Sequence, residues 1–394
     1  MAKLIDITGK CLSGEWGQDD NDGTGIPVLR TTNFTNDGVV SYASVVTRQI
    51  NKRNLETKYL RNGDIIIEKS GGSDNQPVGR VVYFEGEENK YLFNNFTGLL
   101  RVENHNMWIP KYVFYALFAN YHRGGTRPFE NKTTGLHNLK TDSYLSSVEI
   151  RDVSYDEQCR IVDQLDKIAH LISLRKQQVK ELDNLVKSRF IELFGDPIEN
   201  PLGWKKRYLL EMGYCKNGMN FHTGDFGIDL HCLGVGDFKN LSVISNTESL
   251  PTISLNELPQ TEYMLRDGDI VFVRSNGNKA LVGRCVIVYP GDTPTTYSGF
   301  CIRYRLTDES LNPNYLLRVL KTESMRKKMA GRGANIQNLN QQILASLAIP
   351  LPPIELQNEY AAFVEQTDKL KLAVTEALAE LETLKKSLMQ QYFG

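Results

Sequence analysis

The motif of this chain that comes nearest to a catalytic signature is residues 312–315 (NPNY). Amino-methyltransferases hold a flipped base with Asn-Pro-Pro-Tyr or Asn-Pro-Pro-Phe, but the third residue here is Asn. Residues 109–112 (IPKY) occupy the matching place of an internal repeat and depart further from that motif. The start of a helix, with Asn312 as the N-cap and Pro313 in the first turn, explains these residues better.

Three other motifs lack the partner residues that their chemistry requires. Residues 234–236 (GVG) lack the third glycine of a dinucleotide-binding loop, and residues 225–227 (DFG) occur without a kinase catalytic loop. Asp74 with residues 88–90 (ENK) loosely resembles a nuclease pattern, but nothing similar recurs in the second half of the repeat. We therefore expect this chain to contain no catalytic residues and no metal ligands.

Two polar loops have the residue types that recognise bases. Residues 68–76 (EKSGGSDNQ) and residues 273–279 (VRSNGNK) lie at matching places and combine basic, amide, hydroxyl and glycine residues. Arg and Lys side chains donate to guanine, whereas Asn and Gln form paired hydrogen bonds with adenine. These loops are therefore suited to contacts with base edges in a DNA groove.

Basic stretches also recur at matching places. Residues 121–140 contain four Lys or Arg against one acidic residue, and residues 318–332 contain six against one. A solvated surface is the usual reason for such stretches, but their recurrence favours salt-dependent contacts with DNA phosphates. The predicted DNA-binding residues are Arg30, Lys69, Ser70, Gly72, Arg123, Arg127, Lys132, Arg274, Asn276, Asn278, Lys279, Lys327 and Arg332.

The composition limits the class of protein. The formal net charge is −1, from 46 basic and 47 acidic residues, so nucleic-acid contacts must come from local patches. The six cysteines form no Cys-x-x-Cys pair, which argues against a zinc site or a disulfide framework. Because we find neither a secretory leader nor an apolar span of membrane length, we expect a cytoplasmic protein without membrane contact.

The chain is an internal duplication. Residues 59–67 (YLRNGDIII) return as residues 264–272 (MLRDGDIVF), and residues 78–80 (VGR) return as residues 282–284. Further matches follow in the same order at a spacing of about 200 residues. Each copy contains β-branched and aromatic runs between turn residues, then a short helix, a polar loop and a long helix.

The two long helices are predicted to pack against each other. Residues 156–194 contain neither Gly nor Pro and could form a helix of about 55 Å. Their apolar residues follow four-three spacing, which is typical of a coiled-coil seam, and the last residues of the chain repeat the pattern. The predicted seam and partner-docking residues are Ile161, Leu165, Ile168, Ile172, Val179 and Leu182, with Leu370, Val374, Leu381, Leu384 and Leu388 in the second helix.

These features predict an α+β fold. It consists of two tandem-repeated mixed α/β domains separated by a pair of long antiparallel coiled-coil helices, with pseudo-two-fold symmetry. The predicted boundaries are residues 1–150 for the first domain, 151–195 for the first helix, 196–353 for the second domain and 354–394 for the second helix.

Over its full length the chain resembles the specificity subunits of type I restriction-modification systems. The resemblance rests on Gly-Asp-Ile strands with Gly-Arg downstream and on Asn-Leu before a strand, in the same order twice. It rests most specifically on residues 349–357 (IPLPPIELQ), which open the distal helix. The first copy departs from this pattern, because residues 148–158 (VEIRDVSYDEQ) keep Glu-Gln and lack the prolines.

The resemblance implies a non-catalytic subunit with two target-recognition domains, each of which recognises one half of a bipartite site on double-stranded DNA. It implies that the helices set the gap and dock two methyltransferase (modification) subunits. S-adenosylmethionine would then belong to those subunits, and ATP would belong to a restriction and translocase subunit of the complex.

Two other functions remain open from the residues. A single-chain DNA methyltransferase or nuclease would require a catalytic motif that the sequence does not show. A coiled-coil adaptor that binds no DNA would leave the two matching basic stretches unexplained.

Overall fold

The computed structural model of the chain describes residues 1–52, 54–133, 136–221, 224–238, 241–330 and 338–394. The chain forms two compact units. The first comprises Met1–Lys176 with Glu376–Gly394, and the second comprises Gln177–Thr375. Each long helix therefore contributes one half to each unit.

The first unit contains thirteen strands and three complete helices. The strands are β1 Ala2–Lys3, β2 Leu12–Ser13, β3 Gln18–Asp19, β4 Ile26–Leu29, β5 Val46–Gln49, β6 Ile65–Glu68, β7 Ser70–Gly72, β8 Val81–Tyr83, β9 Leu92–Phe93, β10 Thr97–Leu100, β11 Glu130–Thr133, β12 Leu136–Leu139 and β13 Glu149–Ile150. The helices are α1 Leu4–Thr8, α2 Pro110–His122 and α3 Thr141–Ser147, followed by the long helix α4 Tyr155–Phe194.

The described part of the second unit contains ten strands. They are β14 Lys206–Tyr208, β15 Gly213–Asn217, β16 Ile228–Leu233, β17 Val243–Ile244, β18 Thr252–Leu255, β19 Asp269–Val273, β20 Cys285–Val288, β21 Thr295–Tyr297, β22 Cys301–Leu306 and β23 Ala348–Pro350. The helices are α5 Pro313–Lys321, α6 Glu323–Ala330 and α7 Gln341–Ala345, followed by the long helix α8 Ile354–Phe393.

The sheets of the two units have matching topology. The order β2-β10-β6-β8 in the first unit corresponds to β15-β22-β19-β20 in the second, with antiparallel pairing throughout. In both units a second sheet joins a parallel pair, β4 with β9 and β16 with β21, to an antiparallel neighbour. The duplication in the sequence is therefore a duplication of the fold.

The central strand of each unit is buried on both faces. Side chains alternate along a strand, so Ile65 and Ile67 enter the core beneath α2, whereas Ile66 enters the core between the sheets. Ile270 and Phe272 alternate with Val271 in the same way. A strand between two apolar layers explains the continuous apolar run after each Gly-Asp pair.

The aspartate of each Gly-Asp pair forms a buried ion pair. Asp64 accepts two hydrogen bonds from Arg101, from Nε at 2.7 Å and from Nη2 at 2.6 Å. Asp269 accepts the equivalent bonds from Arg305 at 2.8 and 2.7 Å. Both arginines also donate to a backbone carbonyl, which is that of Tyr59 or that of Met264. Each carboxylate therefore joins the central strand to its neighbour and to the preceding turn.

A buried glutamine ties each long helix to its own unit. Gln158 donates to the carbonyl of Met107 at 2.9 Å and accepts from the amide of Ile109 at 2.9 Å. Gln357 makes the equivalent bonds to the carbonyl of Ser310 at 3.1 Å and the amide of Asn312 at 2.8 Å. The glutamine near the start of each long helix is therefore explained by its amide, and the prolines that only the second copy contains are not needed for these bonds.

The seam predicted for α4 lies in the core of both units. Ile161, Leu165, Ile168 and Ile172 are buried in the first unit, and Leu182 is buried in the second. Val179 is half-buried. The helix halves are antiparallel within each unit. In the second unit Lys371 of α8 lies 2.6 Å from Asp183, and Glu359 lies 3.5 Å from Arg189. In the first unit Lys176 lies 3.4 Å from Glu382, and the Tyr392 hydroxyl donates to Gln164.

The seam predicted for α8 is wrong at two positions. Leu370 and Leu384 are 50% and 48% exposed, although Val374 is buried and Leu381 and Leu388 are half-buried. The neighbouring Lys371 and Lys385 are half-buried in their place. Lysine can cover apolar surface with its methylene stem and still place its ammonium group beside a carboxylate or an aromatic ring, so a seam need not be apolar throughout.

Substitution of Asp269 by Ala should lower the free energy of unfolding of the second unit by about 3–5 kcal/mol, since it leaves buried arginine without its charge partner. Asp269 is 1% exposed, and Arg303 (0% exposed side chain) approaches it to 4.0 Å in addition to Arg305. Urea unfolding followed by circular dichroism measures the effect. The exposed Asp292→Ala is the control, and equal losses in the two variants would contradict the assignment.

Candidate nucleic-acid interface

The two predicted polar loops begin where the central strands end. Lys69 directly follows β6, and Arg274 directly follows β19. The amide of Lys69 donates to the carbonyl of Phe96 and the amide of Arg274 donates to that of Phe300, both at 2.8 Å. The carbonyls of Lys69 and Arg274 in turn accept from the amides of Leu139 and Leu339. Both residues are therefore held at the same place in the fold, and the leucine of each repeated Asn-Leu pair supplies one of the backbone bonds.

The side chains at this place are polar and half-buried. The Lys69 ammonium group lies 3.0 Å from the hydroxyl of Ser13, and the Ser70 hydroxyl donates to Asn138 at 2.6 Å. The Arg274 guanidinium group donates to the carbonyl of Gly299 at 3.2 Å. Each cation is held by neutral oxygens, which leaves its charge available to an anionic ligand.

The second loop is a turn stabilised by its own asparagines. The Asn276 side-chain oxygen accepts from the amide of Asn278 at 2.8 Å, and the Asn278 oxygen accepts from the amide of Ala280 at 3.1 Å. Lys279 is exposed within this turn. The asparagine oxygens thus shape the loop, a role that competes with base recognition by the same atoms.

Gly72 is packed against the backbone. A Cβ atom on Gly72 would lie 2.5 Å from the amide nitrogen of Val78, a distance that real Cβ atoms do not show. Gly277, its counterpart in the second loop, has open space around the same position. Close packing therefore explains the glycine at position 72 without any contact to DNA.

The other predicted DNA-binding residues are dispersed. Arg30 donates to the carbonyl of Ser44 at 3.4 Å, and Arg123 donates to the carbonyl of Phe393 at the end of α8. Arg127 is exposed, and Lys327 is exposed and paired with Glu323 at 2.6 Å. The backbone of Lys132 pairs with that of His137 in the hairpin β11–β12, and Arg332 lies outside the described residues. For none of these residues is a DNA contact tested, so they stay predictions.

Two aromatic residues beside the loops escaped the sequence reasoning. Phe96 and Phe300 are 50% and 61% exposed, although both precede a buried strand. Their carbonyls hold the amides of Lys69 and Arg274. Each exposed phenylalanine is therefore bonded through its backbone to a basic residue, at the same position of the fold. An alignment of the two repeats would have identified this pair, since both are Phe at matching positions.

Among the described residues, no group of His, Cys, Asp and Glu could hold a metal ion. The helices in the same part of the chain include none that is long and apolar enough to cross a membrane.

The geometry defines a class of protein, namely a duplicated α+β recognition fold. Each copy has a polar, basic loop and an exposed aromatic ring, and each is bonded to one of the two paired helices. The family model for the type I restriction modification DNA specificity domain matches residues 1–184 and 204–383. The chain belongs to this family. The similarity confirms the α+β fold class and the expected role in DNA sequence specificity.

Known specificity subunits are similar to this chain over most of its length. The StySPI specificity subunit of Salmonella potsdam is 24% identical over 393 residues, which cover 93% of this chain and 81% of the relative. The EcoKI specificity subunit of Escherichia coli is 24% identical over 401 residues, which cover 93% and 82%. The crystal structure of the S subunit of a type I restriction-modification system from M. genitalium superposes with a TM-score of 0.58, at 15% identity, over 100% of this chain and 95% of that chain.

Replacement of Gly72 by Ala should lower the free energy of unfolding by about 1–3 kcal/mol, the usual effect of overpacking, because the methyl group collides with backbone. Chemical denaturation measures this change. Gly277→Ala is the matched control and should stay within about 0.5 kcal/mol of the original protein. Unchanged stability of Gly72→Ala together with weaker DNA binding would instead support a direct contact.

Proposed function

We propose that each unit recognises one half of a bipartite DNA site through the loop that follows its central strand. The single observation that supports this proposal is the recurrence of a basic residue whose backbone amide donates to the carbonyl of an exposed phenylalanine: Lys69 with Phe96, and Arg274 with Phe300. Arg and Lys donate to guanine in the major groove, and phenylalanine can contact a thymine methyl group. The two loops differ in their remaining residues, so the two half-sites differ in sequence.

We also propose that the chain is a non-catalytic subunit. Its paired helices dock two methyltransferase subunits, which bring S-adenosylmethionine, and a restriction subunit joins through the complex. Exposed leucines on the helices support docking, because Leu370 and Leu384 project away from the core of their units. Co-purification with a methyltransferase, followed by mapping of methylated adenines in host DNA, tests this assignment. Methylation of DNA by the purified chain alone would contradict it.

Replacement of Arg274 by Ala should weaken binding to the preferred DNA by about 1–3 kcal/mol and relax the preference at one base pair. Selection of bound sites from randomised DNA, performed on the chain with its methyltransferase partner, measures both effects. Only the half-site of the second unit should change. Lys69→Ala is the matched variant and should change only the other half-site. Equal weakening on all sequences would make Arg274 a phosphate contact.

The helices are proposed to set the gap between the half-sites. One heptad inserted into α4 after Lys176 and one into α8 after Thr375 would lengthen the pair by about 10 Å, or about 3 base pairs of DNA. We expect selected sites with a longer gap and unchanged half-sites. A single insertion in α4 is the control and should disrupt the pairing of the helices. An unchanged gap in the double insertion would refute this role.

A further inference from the structure

A cavity of about 360 Å³ lies in the second unit, beside the turn that bears Asn278 and Lys279. Its lining includes the cationic side chains of Arg284, Lys321 and Arg326. The described residues that complete the lining are apolar or thiol-bearing, and none is a carboxylate. The cavity is thus a place where positive charge converges without an acidic residue in its wall.

Two of these cations, Lys321 and Arg326, donate to neutral oxygens. Lys321 donates to the hydroxyl of Ser242 at 2.6 Å and to the carbonyl of Leu241 at 3.2 Å. Arg326 donates through Nη2 to the carbonyl of Ala280 at 3.2 Å. Its Nη1 is buried and has no hydrogen-bond partner among the described residues. A buried guanidinium nitrogen without an acceptor is costly, so the described residues around Arg326 stabilise its charge only in part.

The electrostatics agree with this geometry. Burial lowers the pKa of Lys321 and of Arg326, and neighbouring arginines lower both further. Like charges disfavour one another in a partly buried site, so an anion placed between them would be favoured electrostatically. Lys321 ends α5, where a cation also favours the helix dipole. The helix dipole does not favour Arg326 in this way, because Arg326 lies in the first half of α6.

The first unit balances its charge differently at the matching place. Arg80, the counterpart of Arg284, pairs with Glu68 at 3.0 Å. The backbone bond from Glu68 to the carbonyl of Arg80 has its equivalent between Val273 and Arg284, so Val273 occupies the position of that carboxylate. The second unit thus has an apolar residue, Val273, at the position of Glu68.

We propose that this cavity binds a phosphate group. The carbonyl that Arg326 holds belongs to Ala280, in the turn that the proposed function assigns to base recognition. A backbone phosphate of DNA in the cavity would therefore place that turn beside the adjacent base edges, because phosphate contacts set the register in which bases are recognised. A free phosphate ion has the same chemistry, and it is the second possible source. Only the DNA source depends on the proposed function.

The first experiment uses inorganic phosphate and the full-length chain. Thermal unfolding is followed while phosphate replaces chloride at constant ionic strength. The unfolding temperature of the original protein should rise saturably, since a ligand that binds only the folded state stabilises it. The rise should be lost in Arg326→Gln and largely kept in Arg326→Lys. Lys369→Gln removes one exposed charge, paired with Glu365, and should respond like the original protein.

The second experiment measures DNA affinity against salt for the chain with its methyltransferase partner. Loss of one phosphate contact in Arg326→Gln should reduce the slope of log affinity against log salt by about 0.9, and Lys369→Gln should leave it unchanged. A changed slope assigns the cavity to DNA, and a phosphate response without a changed slope assigns it to a free phosphate. The absence of both effects in a folded Arg326→Gln, identified by its unfolding temperature in chloride, overturns the proposal.

The two experiments separate this proposal from the proposed function. If the chain with its partner fails to bind DNA, the function is refuted while the phosphate titration still decides whether the cavity binds an anion. If DNA binding is normal and neither the titration nor the slope distinguishes Arg326→Gln from Lys369→Gln, only the cavity proposal fails.

Discussion

The orientation of each long helix on its own unit depends on one buried amide. Gln158 and Gln357 are both 0% exposed. Each bonds to two backbone groups in the three residues that directly precede a helix of the same unit. Loss of such an amide would leave buried backbone groups unpaired, which costs more than the bonds themselves contribute. The glutamine is reinforced by Tyr112 and Tyr315, whose hydroxyls donate to the carbonyls of Arg151 and Pro350. A recognition loop can therefore keep a defined direction relative to its helix.

The same skeleton leaves the recognition loops free to differ. The backbone bonds that hold Lys69 and Arg274 use no side-chain atoms, so they tolerate any residue that fits the space. The loop of the first unit contains strand β7, which pairs with β12 of the hairpin β11–β12, whereas the second loop forms a turn stabilised by Asn276 and Asn278. Shared backbone geometry with different side chains suits a protein whose two units must recognise different sequences.

The sequence predicted the large features of this fold because they are local or repeated. The absence of Gly and Pro set the helices at Tyr155–Phe194 and Ile354–Phe393, and the Gly-Asp-Ile repeat placed the central strands. The buried positions of α8 were harder to predict, because the leucines at 370 and 384 look more suitable for a core than the neighbouring lysines. Lys371 reaches Asp183 and Lys385 lies 5.4 Å from the ring of Phe118, and neither neighbour can be identified before the fold is known.

The sequence predicted where the candidate site lies in the fold, but it did not predict the contacts of the individual side chains there. The repeat placed Lys69 and Arg274 at equivalent points, yet the collision that makes Gly72 necessary depends on Val78, which folds back from six residues away. Charge counting along the sequence favoured Lys327, which the structure pairs with Glu323. The same count could not distinguish Arg326, which lines a cavity and whose buried Nη1 has no hydrogen-bond partner among the described residues. A basic stretch thus contains both neutralised and unneutralised cations, and only the latter can contribute substantially to the binding of an anion.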